Sequence, residues 1–145
     1  MTIEPIRTAR PDDALQLVEL FVAAYSEYMS EISDLPDMTE GWPEAIAGGD
    51  VWVVGNDSRI DGCLLLQESD DSLKIVNVAT RPESRGQGIG GLLMRFAEAE
   101  GALRGVDRMC LSTHVKMPGN VTLYEHLGWT ETERTGNKVH MEKEL

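Results

Sequence analysis

Two rhythms of apolar and polar positions divide this chain. Ile3 to Ala9 alternates closely enough to predict a first strand. Pro11-Asp12-Asp13 then opens a helix, and its acidic first turn suits the helix N-terminal dipole. Leu15, Val18, Phe21, Val22 and Tyr25 recur at helical spacing, so the helix is expected to run to about Ile32. Residues 33–41 are turn-rich, and a short helix is expected over Pro43 to Ala47, before Gly48-Gly49. Val51 to Val54, Ile60 to Gln67 and Leu73 to Ala79 follow as three strands. The turns between them, Asn56-Asp57-Ser58 and Ser69-Asp70-Asp71-Ser72, are short and polar, as antiparallel hairpins require. The rhythm becomes helical from Leu92 to Leu103. Arg108 to Thr113 reads as a strand, and Asn120 to Leu127 as a helix stopped by Gly128. Trp129 to Arg134 and Lys138 to Glu142 flank Thr135-Gly136-Asn137 as a last hairpin. The order β-α-α-β-β-β-α-β-α-β-β predicts an α/β (α+β) fold, a mixed sheet with helices on its faces.

Composition narrows the classes. The 145 residues suit a single domain, residues 1–145, and 41% hydrophobic content is too high for a disordered tail. No apolar run reaches the roughly 18 residues of a membrane span. Met1-Thr2-Ile3-Glu4-Pro5 lacks the pattern of a secretory signal, so a cytoplasmic protein is expected. Cys63 and Cys110 lie in apolar strand-like runs and read as buried free thiols. Neither they nor the three scattered histidines have metal-site spacing, so no metal is expected. A net charge of −12 argues against nucleic acid and is compatible with a cationic partner such as an amine.

The chemistry concentrates between Val76 and Leu93. A strand ends there, Arg81 to Arg85 intervene, and a glycine loop over residues 85–91, with Gly86, Gly88, Gly90 and Gly91, leads into a helix from Leu92. Glycine removes the Cβ that holds a ligand off the backbone. Successive N–H groups and the helix N-terminus together make an anion site suited to a pyrophosphate. Arg85 can add a charge-assisted hydrogen bond. Glycine costs ~1 kcal/mol per helical position against alanine, so four close together need a reason. Gly86, Gly88 and Gly91 also satisfy G-x-G-x-x-G. A dinucleotide fingerprint, however, should follow its strand almost at once and open a βαβ unit, and this loop does neither. A P-loop needs Lys-Ser/Thr after its last glycine, and Leu92 stands there instead.

Arg85-Gly86-Gln87-Gly88-Ile89-Gly90 resembles the Arg/Gln-x-x-Gly-x-Gly/Ala motif of the GNAT N-acetyltransferases, and the lead-in Val78-Ala79-Thr80-Arg81-Pro82 resembles their strand-to-loop passage. The element order is similar along nearly the whole chain. The resemblance implies a mostly antiparallel sheet, splayed where CoA enters, and acetyl-CoA as cosubstrate. It implies that backbone amides of residues 86–91, Gln87 and Ile89 among them, hold the pyrophosphate, with Arg85 binding beside them. Val78, Ala79 and Thr80 would pair with the pantetheine arm like an added strand. Homodimers are common in the family, though no feature of this sequence requires one.

Asn120-Val121-Thr122-Leu123-Tyr124-Glu125-His126-Leu127-Gly128-Trp129 resembles the family's second signature, whose tyrosine, here Tyr124, is commonly the general acid. A phenol there can donate to the departing thiolate as the C–S bond breaks. Tyr124 would otherwise simply pack with Leu123 and Leu127. Many family members carry asparagine where this chain has Met117. Thr113, His114, Met117 and Asn120 resemble a recurring variant, in which Asn120 caps its helix, contacts CoA, or does both.

An amine of pKa ~10.4 must also lose a proton, which adds roughly 4.6 kcal/mol at pH 7. Asn77 stands on the strand where some family members use glutamate, and it is no base. Glu68 and His114 are the candidates, each with a plain structural alternative, and a water chain is a third. Tyr25, Glu27, Tyr28, Glu31, Asp34, Asp37, Glu40 and Trp42 offer carboxylates and rings suited to a cation, or else a solvated acidic surface. The expected activity is acetyl transfer to a primary amine of a small molecule or peptide, by direct attack in a ternary complex. An acyl-CoA-binding module without turnover is the alternative.

Overall fold

Leu17, Leu20, Phe21 and Ala24 recur at three- and four-residue intervals and are buried, which makes one face of a helix, α1 (Ala14–Met29), apolar. In the computed structural model, residues 6–29, 41–56, 59–69, 71–116 and 118–145 are described. The first strand is β1 (Ile6–Thr8), and a 3-10 turn, Pro11–Asp13, leads into α1. Asp13 is buried. Its carboxylate accepts from Arg7 at 2.8 and 3.1 Å and from the Arg10 backbone N–H at 2.7 Å. The Arg7 guanidinium, before the other causes, holds that carboxyl below its ordinary range.

The remaining elements are α2 (Trp42–Ala47), β2 (Val51–Asn56), β3 (Arg59–Glu68), β4 (Ser72–Thr80), α3 (Ile89–Leu103), β5 (Arg108–His114), α4 (Pro118–His126), β6 (Thr130–Thr135) and β7 (Lys138–Glu144). A 3-10 turn, Pro82–Ser84, stands between β4 and α3. The element order is the one expected. The strands are ordered β1-β2-β3-β4-β5-β7-β6 in a seven-stranded sheet. β1–β2, β2–β3, β5–β7 and β6–β7 pair antiparallel, and β4–β5 pair parallel. The parallel ladder runs from Ser72↔Arg108 to Ile75↔Leu111, and Val76 to Thr80 continue β4 beyond it.

The chain forms two compact units: Met1–Leu65 with Asn77–Arg95, and Leu66–Val76 with Phe96–Leu145. In the first, Leu17, Leu20, Phe21, Trp42, Val51, Val53, Ile60 and Cys63 belong to one apolar cluster. Phe21 stacks on Trp42 at 5.0 Å and on Tyr25 at 5.9 Å. In the second, Leu73, Ile75, Met109, Leu111, Val139 and Met141 are buried.

Boundaries differ from expectation in ways that matter. α3 begins at Ile89 rather than Leu92, so Gly90 and Gly91 lie in its first turn instead of in a loop. α4 begins at Pro118 rather than Asn120, because proline's fixed φ and missing N–H suit a first helical position. Cys63 is fully buried but Cys110 is only half-buried, and both are free. The expected end of the first helix near Ile32, the start of the first strand at Ile3, and Asp57, Ser58, Asp70 and Met117 lie outside the described residues.

Candidate active site

The loop after β4 is built to leave its backbone bare. Gly86 and Gly88 adopt φ of +85° and +83°, a region that L side chains rarely enter. A Cβ at either would meet nothing within 4 Å, so the space beside both is open. The first bond of α3 runs from the Leu92 N–H to the Gly88 carbonyl at 3.0 Å. The N–H groups of Gly88, Ile89, Gly90 and Gly91 therefore have no intrahelical acceptor. The helix start carries no acid in its first turn. Donors without an intrahelical acceptor, open space beside Gly86 and Gly88, and the positive end of a helix dipole fit a phosphate group. Thr80 Oγ1 lies 3.8 Å from where a Cβ on Gly90 would stand, which brings the end of β4 beside the first turn of α3. Ala79 is buried, and Val78, Thr80 and Gln87 are half-buried.

A clamp on β3 that sequence reasoning missed fixes the approach to this loop. The Arg81 backbone N–H donates to the Asp61 carbonyl at 2.7 Å, and Arg81 Nε donates to the Ile60 carbonyl at 2.9 Å. Ser84, 1% exposed, donates from Oγ to Asp61 Oδ1 at 2.9 Å and accepts from Arg59 Nη2 at 3.1 Å. Arg59 Nε closes the network on Asp61 Oδ1 at 2.9 Å. Gly62, also on β3, lets α3 approach. A Cβ there would stand 2.6 Å from Ile89 Cγ2 and 3.3 Å from the Ala79 carbonyl. Arg85, expected to add a charge-assisted hydrogen bond, donates from Nη2 to the Ala24 carbonyl of α1 at 3.1 Å. That bond ties the loop to α1. The sequence signal for the close approach of α3 to β3 was Gly62 in mid-strand.

The second motif turns out to be a helix terminator as well. Gly128, at φ +94°, follows α4. The Trp129 N–H donates to the Tyr124 carbonyl and the Gly128 N–H to the Glu125 carbonyl, at 3.0 and 3.1 Å. That pair of bonds is a Schellman motif, and the Tyr124 and Trp129 rings, 6.4 Å apart, make its usual apolar contact. Tyr124 is the only buried side chain among the described residues of α4. Burial pushes its phenol up to about 12.

Asn120, His114 and Glu68 lie in the same unit as Tyr124, and Tyr25 and Trp42 lie in the other. Asn120 sits in the first turn of α4, past the cap position, and its Nδ2 donates to Thr113 Oγ1 at 3.3 Å. His114 Nδ1 accepts from the Lys116 backbone N–H at 3.1 Å, so its lone pair is engaged. Glu68 Oε1 accepts from Arg104 Nη1 at 3.3 Å, and Arg104 also holds Glu100. Trp42, expected as a cation-facing ring, is 4% exposed and belongs to the apolar core. Tyr25 stacks on Phe21. Glu31, Asp34, Asp37 and Glu40, and the side chains of Glu27 and Tyr28, lie outside the described residues. Among the described residues no group of three or more potential metal ligands occurs.

A glycine cradle at a helix start, after a strand and before a Leu-Tyr-x-x-Leu-Gly-Trp segment, defines an acetyltransferase class of protein. The acetyltransferase (GNAT) domain family matches residues 47–131, a stretch that holds both features. The chain belongs to this family and is an N-acetyltransferase of the GNAT type. Solved structures share its fold. The PaiA N-acetyltransferase from Thermoplasma acidophilum, in complex with coenzyme A, is 21% identical, with all of both chains covered and a TM-score of 0.85. The ribosomal-protein-S18-alanine N-acetyltransferase from Escherichia coli is 19% identical, with 97% of this chain and 92% of that one covered and a TM-score of 0.73. A GNAT family acetyltransferase from Elizabethkingia anophelis with acetyl-CoA bound is 20% identical, with 70% and 80% covered and a TM-score of 0.62. None of the curated proteins matches this sequence.

Proposed function

We propose that this protein transfers an acetyl group from acetyl-CoA to a primary amine of a small molecule or peptide, by direct attack in a ternary complex. The observation that carries the reading is the open cradle at Gly86 and Gly88, beside free N–H groups at the start of α3. Residues 86–91 hold the pyrophosphate through backbone donors. Val78 to Thr80 continue β4 past the end of its ladder with β5, which supports their pairing with the pantetheine arm. The family match runs through both compact units, which supports one catalytic domain over residues 1–145.

Bound acetyl-CoA supplies an acetyl thioester. The amine nitrogen forms a bond to the acetyl carbon, and the C–S bond breaks. Tyr124 donates its phenolic proton to the sulfur as that bond breaks, and it regains a proton from solvent. The sulfur leaves as a thiol, and a free thiol titrates near ~8.5, so it is a good leaving group and the donor's part is to place a proton as the bond breaks rather than to supply a strong acid. A lone pair on His114 and a carboxylate oxygen of Glu68 are both engaged, which favours water as the carrier of the amine proton. Cys63 is buried, and burial pushes its thiol up, so it does not carry the acyl group. Among the described residues no helix is long and apolar enough to cross a membrane. Free thiols and no disulfide support a cytoplasmic setting.

Release of CoA from acetyl-CoA, measured against a panel of primary amines, tests the reading. Amine-dependent release supports it. Tight acetyl-CoA binding with no turnover on any amine would leave an acyl-CoA-binding module instead.

A further inference from the structure

Arg95, the seventh residue of α3, turns its guanidinium back toward the start of the helix. Between Glu83 and Glu98 the chain carries Arg85 and Arg95 and no acid, although 25 of its 145 residues are Asp or Glu. Arg85 donates to the Ala24 carbonyl. Arg95 is exposed, and no hydrogen bond or ion pair engages it among the described residues.

A helical side chain leans toward the N-terminus, over the turn before its own. Arg95 does so to an extent that Gly91 permits. Its Nη1 lies 3.3 Å from where a Cβ on Gly91 would stand. That distance is tighter than nine in ten real Cβ contacts, so a side chain at position 91 would shift the guanidinium by a few tenths of an ångström. The arrangement costs the helix twice. Glycine in the first turn gives up ~1 kcal/mol against alanine, and a cation near the N-terminus opposes the dipole. Both costs are offset when an anion lies beside the guanidinium and the free N–H groups.

We propose that Arg95 is a phosphate contact of the CoA ligand, a specificity residue whose place Gly91 keeps clear. The inference rests on the reading of the glycine loop as the CoA site. It accounts for the one glycine of the four that lies beyond the Arg/Gln-x-x-Gly-x-Gly/Ala pattern. Backbone donors take the pyrophosphate, and the guanidinium adds a mobile charge that those donors lack.

Calorimetric titration of the folded chain with CoA and with 3′-dephospho-CoA tests it. Arg95→Gln should raise the Kd for CoA about five- to twentyfold, as for loss of a charge-assisted hydrogen bond. Arg95→Lys should recover part of the loss. Arg134→Gln, on the exposed β6, should leave the Kd unchanged. A loss confined to CoA puts the contact on the 3′-phosphate, and a loss on both ligands puts it on the pyrophosphate. Either supports the inference. An unchanged Kd in Arg95→Gln, or an equal loss in Arg134→Gln, overturns it. Wild-type protein that binds neither ligand overturns the loop reading itself, and this inference with it.

Discussion

Tyr124 is held by two different demands. Its backbone carbonyl closes the Schellman motif, and its ring meets Trp129. Its hydroxyl takes part in neither. Tyr124→Phe should therefore keep the helix end and lower kcat about a hundredfold, the scale of general-acid catalysis. A thermal melt beside the kinetics separates the two effects. The phenol, pushed up to about 12, is protonated throughout the working range. Burial favours its neutral form, so that contribution to stability is present below ~10, the unfolded value, and is lost as pH rises through about 12. The ratio of wild-type to Tyr124→Phe rates should then stay constant from about pH 6 to about pH 9. A ratio that falls toward one within that range would show a phenol titrating far below 12. The role given to Tyr124 came from family resemblance. Its part in the helix cap could have been read from Gly128 and Trp129, because a terminating glycine followed by an apolar residue is that motif's signature.

Among the elements, the loop depends on β3 more than on itself. Ser84→Ala removes the hydroxyl that joins Asp61 to Arg59 and leaves Asp61 Oδ1 with less than its full set of donors. It should cost about 1–2 kcal/mol of stability and weaken CoA binding, with kcat at saturation nearly kept. A KM unchanged in Ser84→Ala would mean that the clamp does not position the cradle. Gly62→Ala should be worse, because its Cβ would overlap the side chain of Ile89, where α3 begins. Overpacking of this kind costs about 1–3 kcal/mol, read as a lower denaturation midpoint. Element types and order were legible in the sequence from apolar rhythm in most elements and, for β6, which is exposed throughout, from the Thr135-Gly136-Asn137 turn beside it. The start of α3 was not, since glycine reads as loop by propensity and only the Leu92-to-Gly88 bond shows that the helix begins at Ile89. The clamp was not legible either. Arg59, Asp61 and Ser84 are ordinary polar residues until β3 and the loop meet, and no local pattern announces a contact across more than twenty residues.

For the whole molecule, the seven-stranded sheet and the GNAT match define the class of reaction, and the acidic balance of −12 bears on the partner. A negative surface raises the encounter rate of a cationic amine, and salt screens that gain. It also repels CoA, which makes the cradle's donors and any nearby cation the more necessary. The substrate was the least legible feature. The acidic residues of 31–40 lie outside the described residues, and Trp42 proved to be core because Phe21 stacks on it. Ring and charge look alike in sequence whether they face a ligand or a neighbour.

The central claim is that the glycine cradle binds CoA. Thermal unfolding of the wild-type chain and of Gly88→Glu, with CoA, acetyl-CoA and NAD in parallel, tests it most directly. A ligand at about 100 times its Kd should stabilise the protein by about 2.7 kcal/mol, a rise of several degrees. The account predicts that rise with CoA and acetyl-CoA, none with NAD, and its loss in Gly88→Glu. No rise with either CoA ligand, or a rise with NAD alone, would contradict it.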